Sequence, residues 1–209
     1  MQIATPKLKN KNVILVGIGA IARVGKDTLA DILLEIAADK GIAAKKFPLA
    51  HALKLDLDDF LVEKCGMNVW TNDSNDKAIF RDLLVAYGKI QRFRTDGTYW
   101  TNIVTKLIDG WVYKYYRNEP VLAIVPDVRY AVYDTDEVNW VRNNSGLLIN
   151  LERPHIEPAN TDEAINCTKV KKASNIQYCW DTVEDMAILK QEVKTHIWPR
   201  IDDYFASKA

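Results

Sequence analysis

Three stretches of this sequence carry residues that could do chemistry together. The first is Gly17-Ile-Gly19-Ala20-Ile-Ala22-Arg23-Val24-Gly25-Lys26-Asp27-Thr28, which follows the apolar run Val13 to Val16 and leads into a helical pattern, Leu29 to Ala38. An apolar strand, a glycine-containing turn, Gly-Lys and a helix form the layout of a phosphate-binding loop. Backbone N–H groups of the turn and the helix N-terminus face an anion, and one lysine reaches the outer phosphates. Two positions depart from the motif. Ala20 stands where the first glycine is expected, with Gly19 one place early, and Asp27 stands where Ser or Thr normally supplies a magnesium-binding hydroxyl. Thr28 follows, so Asp27, Thr28 or both are candidate metal ligands, hard oxygen donors of the kind magnesium takes.

The second stretch is Val121 to Val125, a fully apolar run that closes in Pro126-Asp127-Val128-Arg129. An Asp at such a strand end can hold magnesium directly or through water, and an Arg two residues later can pair with a phosphate bidentately. The competing reading is a structural Asp127–Arg129 ion pair. The third is a helical pattern from Lys77 to Phe93. At roughly 100° per residue, Lys77, Arg81, Gly88 and Arg92 share one narrow stripe, opposite Ile79, Phe80, Leu83, Tyr87 and Ile90. The apolar side is expected to face the core and the basic side to face outward. Basic stripes are ordinarily solvated surface. Gly88 inside one costs about 1 kcal/mol in a helix and points to close approach of a ligand or another backbone. Tyr99 and Trp100 could stack on a base, although aromatic rings at helical spacing are ordinarily core.

These groups need a frame. Beyond a basic lead-in over residues 1–11, the pattern predicts strands at Val13–Ile18, Ile42–Phe47, Val121–Val125, Leu147–Leu151 and Ile176–Trp180. Helices are expected at Lys26–Lys40, Leu49–Lys64, Lys77–Phe93, Thr98–Arg117, Thr135–Asn143 and Val183–Ile197. Gly41 and Gly66 supply stops, Asp73 to Asp76 a start, and Pro199 the last stop. Residues 152–174 read as a polar loop. The alternation predicts an α/β fold, an open parallel sheet flanked by helices, with ligands gathering outside the carboxyl ends of the strands.

Bulk properties set limits. A chain of 209 residues, 48% of them apolar, suits one domain with a real core. The formal net charge is zero, so no global basic field draws in a nucleic-acid polymer. Cys65, Cys167 and Cys179 are far apart, and His51, His155 and His196 have no ligand spacing, which leaves zinc and a disulfide framework unsupported. No apolar run reaches membrane-spanning length, and the cytoplasm is the expected compartment. Gly17-x-Gly19-x-x-Ala22 also fits a dinucleotide fingerprint, but the second strand carries Lys45 and Lys46 where that fold wants an acid. A signal peptide and an ordinary strand and turn are the remaining readings of the first stretch. Gly25-Lys26-Asp27-Thr28 weighs against both.

Taken together, the segments resemble the deoxynucleoside monophosphate kinases of tailed bacteriophages. The resemblance rests on Arg23-Val-Gly-Lys-Asp-Thr28, Phe47-Pro-Leu-Ala-His-Ala-Leu-Lys54, Arg81-Asp-Leu-Leu-Val-Ala-Tyr-Gly88, Asp96 with Tyr99-Trp100, Pro126-Asp-Val-Arg-Tyr130, and the run from Trp140 through Gly146 to Pro154. It spans about residues 12–195. It implies a P-loop NTPase-like fold over 1–209, with a helical substrate-binding insertion near 66–118 and a lid near 152–174 carrying Arg153, Lys169, Lys171 and Lys172. The implied reaction moves the γ-phosphoryl group of ATP, with magnesium, to a deoxynucleoside 5′-monophosphate. Another small-molecule acceptor, or a nucleotide-binding protein without turnover, is the alternative.

By the same resemblance, Arg23, Val24, Gly25, Lys26, Asp27 and Thr28 would hold ATP and the metal. Arg81, Gly88, Arg92, Trp100, Asp127, Arg129 and Glu137 would line the monophosphate side. Lys26, Arg129, Asp127 and Asp27 are the implied catalytic set. Val85 and Lys89 replace a Gln and a Thr common in that family. The expected partners are the two nucleotides, with no nucleic acid and no membrane. A homodimer is an open expectation, and a phage-encoded protein would work in the host cytoplasm.

Overall fold

The computed structural model describes residues 4–116, 118–158, 160–180 and 185–206. β1 (Val13–Gly19) is buried along its whole length, as an apolar run at the centre of a parallel sheet must be. β2 is Ala44–Lys46, β3 Val121–Val128, β4 Leu147–Glu152 and β5 Ile176–Cys179. The order is β2-β3-β1-β4-β5, and every pairing is parallel. β1 therefore lies between β3 and β4. A dinucleotide-binding sheet would place β2 beside β1, so the strand order removes that alternative.

Side-chain alternation along β1 splits the core. Ile14, Val16 and Ile18 face α1 (Lys26–Asp39), α7 (Met186–His196) and α8 (Trp198–Ala206). Val13 and Leu15 face α4 (Thr98–Tyr115), α5 (Glu137–Asn143) and the start of α2 (Leu49–Cys65). α3 (Ser74–Arg94) stands off the sheet against α2 and α4. Of the stretch 66–118, α4 thus covers the sheet and α3 forms the outer piece. β3 runs further than its apolar core suggests. The register slips between Gly17↔Val125 and Gly19↔Val128, so a bulge absorbs Pro126, which has no N–H to give a ladder.

Three expectations are corrected. Residues 161–173, expected as loop, form α6 (Thr161–Ala173), with the Asn160 side chain accepting the Glu163 N–H as its cap. The helix escapes its sequence pattern because only Val170 is fully buried. Pro199 does not end the chain's helical part; it sits in the first turn of α8, where its missing N–H costs nothing. Most of the apolar side of α3 is not core. Ile79 is 69% and Phe93 77% exposed, with Leu83 and Ile90 also exposed; Phe80 joins the small cluster of Leu57, Leu61 and Val69, and half-buried Tyr87 packs against it. Parts of the expected lead-in (1–3), fourth helix (117), polar stretch (159) and last helix (183–184) lie outside the described residues.

Candidate functional site

The loop between β1 and α1 carries its strain at two residues. Arg23 has φ 71° and Gly25, the N-cap of α1, has φ 97°. Ala20 is not in that left-handed region, so alanine meets no conformational penalty there. The need for glycine falls instead on Gly19, where a Cβ would stand 2.3 Å from Val170 Cγ1 on α6. Beneath the loop lies Trp180, buried at the end of β5. Its Nε1–H donates to the Val24 carbonyl at 2.6 Å. A Cβ on Gly25 would meet the ring at 2.7 Å.

Lys26 opens α1 and its Nζ lies 2.9 Å from Asp27 Oδ2. The Asp27 side chain is 68% exposed against 17% for Lys26, so a phosphate at the loop could take the lysine over. Thr28 is half-buried on the same turn. At the end of the adjacent strand, Asp127 is buried. Its Oδ1 accepts the Leu49 N–H at 2.8 Å and its Oδ2 the Ala50 N–H at 2.7 Å. Pro48, the N-cap of α2, offers no side-chain cap, and Asp127 serves in its place. Burial pushes the Asp127 carboxyl up; the two N–H groups, Arg129 and Lys26 pull it back. Asp127 thus lies within electrostatic reach of both cations, and among the described residues no ion pair joins it to Arg129.

Beside the loop opens a cleft of about 740 Å³ whose lining includes Ala20, Arg81, Lys89, Arg129, Phe93 and Glu163. α6 ties to both walls: Glu163 Oε1 accepts the Ala22 N–H at 3.1 Å, and Lys89 Nζ lies 3.2 Å from Asp162 Oδ2. A second cavity of about 620 Å³ touches the loop through Ile21 and Val24 and reaches Arg153, His155, Cys167 and Lys171. Of the expected lid lysines, Lys171 lines this second cavity and pairs with Glu152 at 2.8 Å.

Four expected acceptor-side residues sit differently from the implied picture. Trp100 is 4% exposed, in edge contact with Tyr99 at 4.6 Å, and belongs to the core beneath α3. Gly88 does not line the cleft; a Cβ there would find ordinary contact with Leu53 at 3.7 Å, so the position serves α2–α3 packing. Arg92 lines the cleft, but its head group turns inward rather than out to solvent. Its Nη2 lies 2.5 Å from Asp136 Oδ2, and its guanidinium stacks 3.4 Å from the Tyr130 ring centre. Glu137 is buried, and its Oε2 accepts the Arg129 N–H at 2.6 Å and the Tyr130 N–H at 3.1 Å. Burial, then repulsion from Asp136, pushes its carboxyl up to about 8. Arg81 and Arg129, like Arg92, line the cleft.

Sequence reasoning missed Trp180, Glu163 and the second cavity. A tryptophan closing a strand at the sheet's carboxyl edge was the one available signal for the first. No helix among the described residues is long and apolar enough to cross a membrane.

No family model matches the chain, and no curated protein matches it. Among solved structures, a mutant of the APS kinase CysC of Mycobacterium tuberculosis is similar at 14% identity, with a TM-score of 0.40, covering 88% of this chain and 96% of that one.

Proposed function

We propose that this chain is a P-loop kinase that moves the γ-phosphoryl group of ATP to a deoxynucleoside 5′-monophosphate, giving the diphosphate. One observation carries the reading. Lys26 at the start of α1 and Arg129 at the end of β3 both bear on the buried Asp127, at a loop flanked by two cavities. Phosphoryl transfer asks little covalent work of a protein; it needs two phosphates held in line and their charge offset.

In this reading the loop from Arg23 to Thr28 holds the donor phosphates through its N–H groups and Lys26, with the donor base in the cavity of Ile21 and Val24. Arg129 and Arg81 take the acceptor phosphate in the larger cleft, so α3 supplies the acceptor wall. Arg153 to Pro158, which line the second cavity, and α6 form the lid. Among the described residues no cluster of three His, Cys, Asp or Glu could hold a metal alone. That suits magnesium, which is ordinarily bound by one or two carboxylates together with substrate phosphates. Asp27, Thr28 and Asp127 are the oxygen donors that would hold it. Bound there, the ion would offset phosphate charge.

Purified protein with ATP and magnesium should convert at least one common deoxynucleoside monophosphate to its diphosphate, and Lys26→Ala should abolish this. Failure with all of them sinks the reading. A second acceptor class is favoured by one observation: Val85 and Lys89 line the cleft where the resembled family has Gln and Thr. A wider panel of phosphate-bearing and hydroxyl acceptors separates the two. A homodimer and a cytoplasmic setting belong to the same proposal, and sedimentation velocity reads the former directly.

A further inference from the structure

Residues 129–133 follow β3 as a loop beside the cleft, and their N–H groups have no strand partner to meet. Backbone donors near a buried site must be paired. Here four of them converge on two carboxylate oxygens. Glu137 Oε2 takes the N–H groups of Arg129 and Tyr130. Asp136 Oδ2 takes those of Val132 at 3.0 Å and Tyr133 at 3.4 Å. Asp136 is the N-cap residue of α5, yet its side chain makes no bond to that helix. An Asp at this position ordinarily caps its own helix; this one is turned back onto the loop.

The counter-charge comes from a different element. Arg92 on α3 reaches the same Asp136 Oδ2 at 2.5 Å and lays its guanidinium on Tyr130. Gly97, between α3 and α4, allows this approach, since a Cβ there would lie 2.7 Å from Asp136 Oδ1. α3 also carries Arg81. One buried network therefore links the helix that bears Arg81 to the loop that begins at Arg129.

We propose that Glu137, Asp136 and Arg92 are positioning residues that set the backbone of residues 129–133 and so aim the Arg129 guanidinium into the acceptor cleft. Neither carboxyl group lines the cleft, and Arg92, which does, has its guanidinium taken up by Asp136 and Tyr130. The proposal rests on the kinase reading for its kinetic consequence, but its geometric consequence stands apart from that reading. A carboxyl group and a carboxamide both offer an oxygen to two N–H groups, whereas an alkyl side chain offers none.

The test compares Glu137→Gln with Glu137→Leu. Glu137→Leu should raise the acceptor KM roughly tenfold or more, with the ATP KM within about twofold of wild type, and Glu137→Gln should restore it to within about threefold. In an Arg129→Ala background, Glu137→Leu should add less than about twofold, because the residue acts through Arg129. Penalties that multiply, or a Gln variant as impaired as Leu, would overturn the proposal, since both mean that the carboxylate meets acceptor or metal itself. Should Glu137→Leu not fold, Arg92→Lys replaces it, with the same masking by Arg129→Ala expected. Amide hydrogen exchange gives a readout without turnover. The Arg129 and Tyr130 amides should be protected in wild type and Glu137→Gln, and should exchange faster in Glu137→Leu; if that fails to fold, the Val132 and Tyr133 amides held by Asp136 should exchange faster in Arg92→Lys. Unprotected amides in wild type overturn the proposal even if the kinase assay succeeds. Protected amides with no phosphoryl transfer overturn the kinase reading and leave the positioning geometry standing.

Discussion

The indole N–H of Trp180 donates to the carbonyl oxygen of Val24 at 2.6 Å, across 156 residues of sequence. The end of β5 thereby supports the loop between β1 and α1 from below. The Trp180 backbone N–H is itself held by the Glu152 carbonyl at 3.2 Å, so the support is anchored in the sheet. Trp180→Phe keeps most of the packing and deletes the donor, leaving the Val24 carbonyl unpaired in a buried place. The variant should lose about 1–3 kcal/mol of stability and raise the ATP KM severalfold, read by denaturant unfolding and steady-state kinetics. An unchanged ATP KM would show that the contact does not set the loop.

Gly25 and Arg23 share a left-handed conformation but not a neighbour. Gly25→Ala adds backbone strain and forces a methyl against the Trp180 ring, and should cost about 1–3 kcal/mol or more. Arg23→Gly relieves strain of about 1–2 kcal/mol and gives part of it back through a freer unfolded chain. Its stability should hold or rise slightly while ATP binding weakens. Thermal melts of the two variants moving in the same direction would contradict this account.

Asp27 pairs with Lys26 at the surface, where an exposed ion pair contributes about 0–1 kcal/mol. Asp27→Ala should therefore leave the melting temperature almost unchanged. If the carboxylate helps hold magnesium, turnover should fall roughly tenfold or more and recover partly at higher magnesium. A loss of activity matched by a loss of stability would assign Asp27 to folding instead.

Glu137 gives the protein a pH signature. Its carboxyl stands at about 8 in the folded chain against an ordinary 4.5. Between those values the folded chain keeps a proton that the unfolded chain has released, so stability falls as pH rises through this window. Asp136 and Asp127 push in that direction, and Arg92 and the Arg129 N–H oppose it. Asp127, itself raised by burial, adds a slope of the same sign. The unfolding free energy from urea titrations should drop from pH 5 to pH 8, with Glu137 contributing up to about 1.4 kcal/mol per unit, and Glu137→Gln should flatten the drop. Equal drops in both proteins would assign the slope elsewhere.

Much of the fold was legible because it is written locally. Val13 to Val16, the turn and the helix from Lys26 are each recognisable from period and punctuation, and so are β3 and β4. The helix over 161–173 was not, because it buries one residue fully and so shows no apolar face. For α3 the period was right and the direction wrong: the apolar stripe of Ile79, Leu83 and Ile90 exists, but the chain brings no partner to most of it.

The candidate site divides the same way. The sequence by itself determined which side chains stand at the ends of β1 and β3, since Lys26, Asp27, Thr28, Asp127 and Arg129 follow directly from strands it encodes. Only the tertiary structure decided what those and their neighbours face. It set β1 between β3 and β4, which separates this sheet from a dinucleotide fold. It turned Arg92 and Glu137 inward onto a loop, sent Trp100 into the core, and brought Trp180 under Gly25. The reason is physical: residue order specifies strand and helix periods, whereas a buried charge or ring takes its role from partners that arrive from distant parts of the chain.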